Sequence, residues 1–182
     1  MTRFYLVRNA RTEEGVGFIE NPALDEVGQI QAEGVADLLG GQPRMLLISS
    51  PQRRATETAA PLARRWMTIP AIDETLTLMP LPDQANYNRE AWLKNFMKGS
   101  WDEALPFQTT WRRECLGKLI RLDRDAVIIS HFVVINMIVA AAMGDAHTTV
   151  FQPDNASISI VDVESGALKL VELGRQAATR TL

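Results

Sequence analysis

Residues able to handle charge or protons stand where three apolar runs end. Phe4-Tyr5-Leu6-Val7 runs into Arg8, Asn9, Ala10 and Arg11. Arg44 to Ser49 runs into Ser50, with Arg53 and Arg54 shortly after, and Ala126 to Ile129 runs into Ser130 and His131. A guanidinium offers planar, permanently charged donors that match oxyanions. Imidazole is the side chain whose proton is exchanged most readily near neutral pH. Together these types suggest an anion site in which the residue beside Arg8 would normally do the chemistry. That residue is Asn9.

The runs read as strands of an α/β fold. Arg3 to Val7 is apolar without alternation, as expected of a strand covered on both faces. Asp25 offers an N-cap for a helix over Glu26 to Leu39, with Val27, Ile30, Gly34, Val35, Leu38 and Leu39 near one face and Gly40-Gly41 as its stop. Arg44 to Ser49 is the second strand, and Pro51 suits the first turn of a helix running to Trp66 with Ala55, Ala59, Leu62 and Ala63 inward. Ile69 to Ile72 reads as a short strand. Residues 76 to 88, broken by Pro80 and Pro82, form the longest irregular stretch. Helices follow over Arg89 to Lys98 and Phe107 to Leu122, then the strand Ala126 to Ile129 and a helix from His131 to Met143. "ISIVDV" and "ALKLVEL" flank Glu164-Ser165-Gly166 as a hairpin. Alternating strands and helices imply a three-layer α/β/α arrangement around a mainly parallel sheet. Ligands in such folds bind at the carboxyl ends of the strands, where the polar residues lie.

The chain of 182 residues has the size of a single domain, expected to span 1-182, with 76-101 as a lid or specificity segment. Its net charge of −3 argues against general nucleic-acid binding. One cysteine, Cys115, and two histidines, His131 and His147, leave no metal-ligand pattern and no internal disulfide. No signal peptide is recognised, and the cytoplasm is the expected compartment. Residues 126 to 144 are long and apolar enough to raise a membrane span, but Ser130, His131 and Asn136 interrupt them, and a buried strand feeding a buried helix accounts for the pattern.

"LVRNART", "ISSPQRRATETA" and "IISHFVVI", in that order, resemble segments of the histidine phosphatase superfamily, the phosphoglycerate-mutase-like fold. "ALDEVGQIQA" and "DNASISIVDV" are similar to weaker features of the same family, so the likeness spans about Phe4 to Val163. In the family the first segment ends Arg-His-Gly, and its histidine carries a phosphoryl group covalently. The resemblance implies that Arg8 and Arg54 bind phosphoryl oxygens, that His131 is the second pocket histidine, and that Asn9 occupies the nucleophile's position. No cofactor is implied. A carboxamide nitrogen is delocalised into its carbonyl and is no nucleophile, so Asn9 retains only an N–H donor near phosphate. The family's proton donor, the glutamate of Leu-x-Glu-x-x-x-Gly, is also missing from Leu76-Thr77-Leu78-Met79-Pro80. A second branch has His-Asp where this chain has His131-Phe132. Glu74, Asp83 and Glu90 are the acids left to consider. Ala10 replaces the usual glycine, and Gly15 stands where an asparagine is common.

Three readings follow. In the first, a catalytically degenerate member binds phosphate, a phosphorylated small molecule or a phosphoprotein through Arg8, Asn9, Arg54 and His131. In the second, the chain is a phosphomonoesterase seen as a His-to-Asn variant or using another nucleophile. In the third it is a non-enzymatic interaction module, a homodimer in its simplest form. None of them involves a membrane or nucleic acid.

Overall fold

In the computed structural model, residues 1–13, 21–83 and 88–178 are described. Six strands form one sheet in the order β3-β2-β4-β1-β5-β6. They are β1 (Thr2–Arg8), β2 (Leu46–Ser49), β3 (Ala71–Ile72), β4 (Ala126–Ser130), β5 (Ile158–Glu164) and β6 (Ala167–Glu172). The first four in spatial order run parallel, and β5 and β6 close the far side antiparallel, so the sheet is mostly parallel. Among the described residues five α-helices accompany it: α1 (Glu26–Leu39), α2 (Arg53–Trp66), α3 (Arg89–Phe96), α4 (Pro106–Ile120) and α5 (Phe132–Met143).

Side chains alternate between the faces of each strand, and this alternation divides the core. Phe4, Leu6, Ile48 and Ile128 face one side, where Cys115 and Leu119 of α4 and Val134 and Ile138 of α5 cover them. Val7, Leu47, Val127 and Ile129 face the other, against Val35 and Leu39 of α1 and Ala59 and Leu62 of α2. All five residues of β4 are buried, which explains its unbroken apolar run. The same stretch continues into α5, and no helix among the described residues is long and apolar enough to cross a membrane.

Helix boundaries follow local signals. The Asp25 carboxylate accepts from Gly28 N at 2.6 Å, capping α1. Gly144, with φ of 69°, ends α5 in the left-handed conformation. Pro51 precedes α2, whose N-cap is Gln52, instead of sitting in its first turn. The hairpin loop is the two residues Ser165 and Gly166, with φ of 51° and 78°, one residue tighter than expected from the sequence.

The buried face of α1 differs from the expected one. Ile30 and Leu38 are 72% and 70% exposed, and Gly28, Ala32, Val35, Ala36 and Leu39 face inward. Backbone proximity explains the choice: a Cβ on Gly28 would lie 1.9 Å from the Arg11 carbonyl oxygen, so only the face of small residues fits against the chain leaving β1. Gly34 of the same helix has open space around it. Gly28→Ala is therefore expected to destabilise the fold by about 1–3 kcal/mol, and Gly34→Ala to stabilise it by about 0.5–1 kcal/mol. Urea midpoints of the two variants check this; shifts in the same direction would show that the close approach at Gly28 does not govern how α1 packs.

Candidate active site

The carboxyl ends of β1, β2 and β4 lie side by side. Arg8 is in register with Ser130, and Ser49 with Ile129. Just beyond the strands the pairing continues, with Asn9 N donating to Ser130 O at 2.8 Å and Ser50 N to Ile129 O at 3.0 Å. The backbone thus brings Asn9, Ser50 and His131 together, and all three are buried, at 7%, 0% and 4% exposure.

His131 is the N-cap residue of α5 and uses both ring nitrogens. Nδ1 is 3.1 Å from Asn9 Oδ1 and Nε2 is 2.8 Å from Ser50 Oγ. Asn9 Nδ2 donates to Ala10 O at 3.0 Å. Burial, then the positive charges of Arg54 and Arg8, push the imidazole down to about 3, so the ring is neutral near pH 7.

Arg8 is half-buried. Its guanidinium donates to Pro153 O at 2.7 Å and lies 5.4 Å from the centroid of the Phe132 ring. Burial holds its pKa below the usual arginine value, opposed by Asp154. Residues 153–157 wrap the end of β1: Asn155 Nδ2 donates to Asn9 O at 3.0 Å, Ala156 N to Arg8 O at 3.0 Å, and Arg8 N to Ser157 O at 3.1 Å. The Asp154 carboxylate accepts from Arg175 Nε at 3.0 Å, which anchors the wrap to the chain beyond β6.

Arg54 and its neighbour take different directions. Arg53 is exposed and pairs with Glu57 one helical turn on, at 2.7 Å. Arg54 is half-buried, its charge acts on His131, and among the described residues its guanidinium has no hydrogen-bond or ion-pair partner. Burial and then the Arg89 charge lower its pKa. Among the described residues the site is therefore cationic, with two guanidiniums acting on a neutral histidine.

Among the described residues, none of the three acids considered from sequence has a hydrogen bond or ion pair to Arg8, Arg54 or His131. Glu74, Asp83 and Glu90 are exposed, and the charges that act on Arg8, Arg54 and His131 do not include theirs. Glu90 pairs with Lys94 at 2.6 Å, which lowers its pKa, the opposite of what a general acid needs. The stretch Leu76-Thr77 does run beside the site. Ser130 Oγ donates to Leu76 O at 2.8 Å, and Gln52 Nε2 to Thr77 Oγ1 at 3.4 Å. Gly15 lies outside the described residues.

Sequence reasoning passed over Thr58, whose hydroxyl accepts from Ala10 N at 3.0 Å, and the contacts of Ser50 and Asn155. Their only signal was polarity at a strand end or within a family-like segment. His147 is a loop residue, with its ring 2.7 Å from the Asp145 carboxylate. Trp92, Phe96, Trp101 and Trp111 follow one another at centroid distances of 5.4, 5.4 and 6.4 Å, stacked, edge-to-face and tilted in turn, on the core that also holds Cys115. Burial pushes the Cys115 thiol up to about 12, so it is not reactive. Among the described residues no group of three or more His, Cys, Asp or Glu side chains forms a metal site.

Comparison with known proteins shows the family and the fold. A protein of Hydrogenobacter thermophilus named, provisionally, phosphoserine phosphatase 2 is 28% identical, with both chains covered in full. Two solved structures share the fold. The mycobacterial glucosyl-3-phosphoglycerate phosphatase in complex with VO3 superposes with a TM-score of 0.74 at 22% identity, covering 94% of this chain and 98% of that one. A mutant phosphoserine phosphatase of Entamoeba histolytica in complex with phosphoserine gives 0.71 at 22% identity, covering 94% and 97%. The family model of the histidine phosphatase superfamily (branch 1) matches residues 4–176, and the chain belongs to that superfamily.

Proposed function

We propose that this chain is a phosphate-binding member of the superfamily that has lost phosphatase turnover. The observation that carries the reading is the state of Asn9. Its Oδ1 accepts from His131, its Nδ2 donates to Ala10, and neither atom is an activated nucleophile. The missing proton donor supports the same conclusion, since the absent glutamate has no replacement in residues 76–80 and, among the described residues, no acid is among the charges that act on His131.

Anion binding is what the remaining groups are suited to. Arg8 and Arg54 supply charged donors, and the first turn of α5 supplies backbone N–H groups that the helix itself does not use. Phosphoserine and glucosyl-3-phosphoglycerate appear in the names of the relatives, and we take a phosphorylated small molecule as the ligand class here. The described part of residues 76–101 supplies a ligand-facing segment of a single domain. Thr77 meets Gln52, and the Arg89 charge acts on Arg54, so this segment borders the pocket.

Vanadate binding, followed by calorimetry, is expected to be saturable. Arg8→Ala or Arg54→Ala should weaken it by about tenfold to a hundredfold, the value of one charged hydrogen-bonding group. Unchanged affinity in both variants would show that Arg8 and Arg54 do not form the anion pocket.

Catalysis is tested with two esters. The chain as it stands is expected to release no phosphate from an aryl phosphate and to form no phosphoenzyme. Asn9→His should restore cleavage of the aryl phosphate, whose leaving group needs no protonation, while phosphoserine, with an alkoxide leaving group, stays intact. Turnover by the unchanged chain would refute the loss of catalysis. Cleavage of both esters by Asn9→His would show that a proton donor is present after all.

A further inference from the structure

The contacts of His131 settle which atoms carry hydrogen. Asn9 Nδ2 is a donor and faces the Ala10 carbonyl, so Oδ1, an acceptor, faces the ring. Nδ1 must therefore be the protonated nitrogen of the neutral ring. Nε2 is left as a lone pair, and Ser50 O–H donates to it at 2.8 Å. Asn9 cannot reverse its role, but a serine hydroxyl can, because it holds one donor and two acceptor positions on a freely turning bond.

If Nε2 took up a proton, every hydrogen bond of the ring would survive. Nδ1–H would still donate to Asn9, and Nε2–H would donate to Ser50 Oγ once the hydroxyl turned. Burial opposes that proton most, and among the described residues the charges facing the ring are Arg54 from α2 and Arg8 from β1, which oppose it too. Asp154, from the wrap over β1, acts on Arg8 and is itself paired with Arg175. The two neighbours that touch the ring nitrogens, Asn9 and Ser50, are uncharged. A tetrahedral dianion held by the arginines would supply the negative charge that the ring lacks.

We propose that anion binding in this pocket is coupled to uptake of one proton from solvent at His131 Nε2, with Ser50 as the positioning residue that turns from donor to acceptor. No covalent bond is made or broken. The proposal rests on the reading of Arg8, Arg54 and His131 as an anion pocket.

Sulfate is the probe, because it stays a dianion and does not itself titrate between about pH 5 and about pH 8. Its affinity for the chain is expected to rise as pH falls, approaching tenfold per pH unit, the slope for one proton taken up. In the unaltered chain, nitrogen-15 spectra of the two histidines, with His147→Gln for assignment, should show His131 Nε2 becoming protonated as sulfate saturates the site. Ser50→Ala should flatten the pH slope, and Ser50→Thr, which keeps the hydroxyl, should restore it. Sulfate binding that is independent of pH with Nε2 unprotonated would overturn the coupling and leave the pocket standing. A full slope in Ser50→Ala would remove Ser50 from it. Absence of sulfate binding at every pH, or binding indifferent to Arg8→Ala and Arg54→Ala, would overturn the pocket reading and this inference together.

Discussion

The parallel pairing of β4 between β1 and β2 fixes where everything else at the site can be. With Phe4 opposite Ala126 and Leu46 opposite that same Ala126, the three strands end level, and the residues just past their ends share one small volume. A slip of one residue in either pairing would turn the apolar side chains of a strand to the opposite face and carry Asn9 or Ser50 away from His131. The two cores enforce the register, because Val127 and Ile129 belong to one face and Ile128 to the other. Hydrophobic alternation thus aligns polar groups that never interact with the cores.

That alignment produces an electrostatic environment unlike that of a solvent-exposed histidine. His131 lies in a buried layer with guanidinium groups as its charged neighbours, and both ring nitrogens already have partners. Burial weakens the imidazolium form, and the arginines weaken it further. An anion bound as proposed would offset the second effect without altering the first.

Much of this was legible in the sequence, and the reasons for the rest are physical. Strand ends and helix starts follow local rules, so Asp25, Gly144 and the polar residues after β1, β2 and β4 were recognisable from short segments. The inward face of α1 was not, because Ile30 and Leu38 suggest one stripe while the approach of the Arg11 backbone to Gly28 selects another. The sequence favoured Arg54 over Arg53 only by spacing. In the structure, Arg53 is drawn outward by Glu57, a contact that a helical wheel contains but does not rank. The partners of His131 were beyond local reasoning altogether, since Ser50 and Asn9 are 81 and 122 positions away in the chain.

The place of β1 in the sheet has a consequence for how the chain is made. Of the six strands of the sheet it is synthesised before the other five, yet its neighbours are β4 and β5, which come from residues 126–130 and 158–164. The wrap that holds Arg8 and Asn9 comes from residues 153–157. Contacts so distant in sequence form slowly, because loop closure must precede them. An apolar strand thus lacks its sheet neighbours until residues 126–164 have been synthesised, and unpaired strands of that kind favour aggregation.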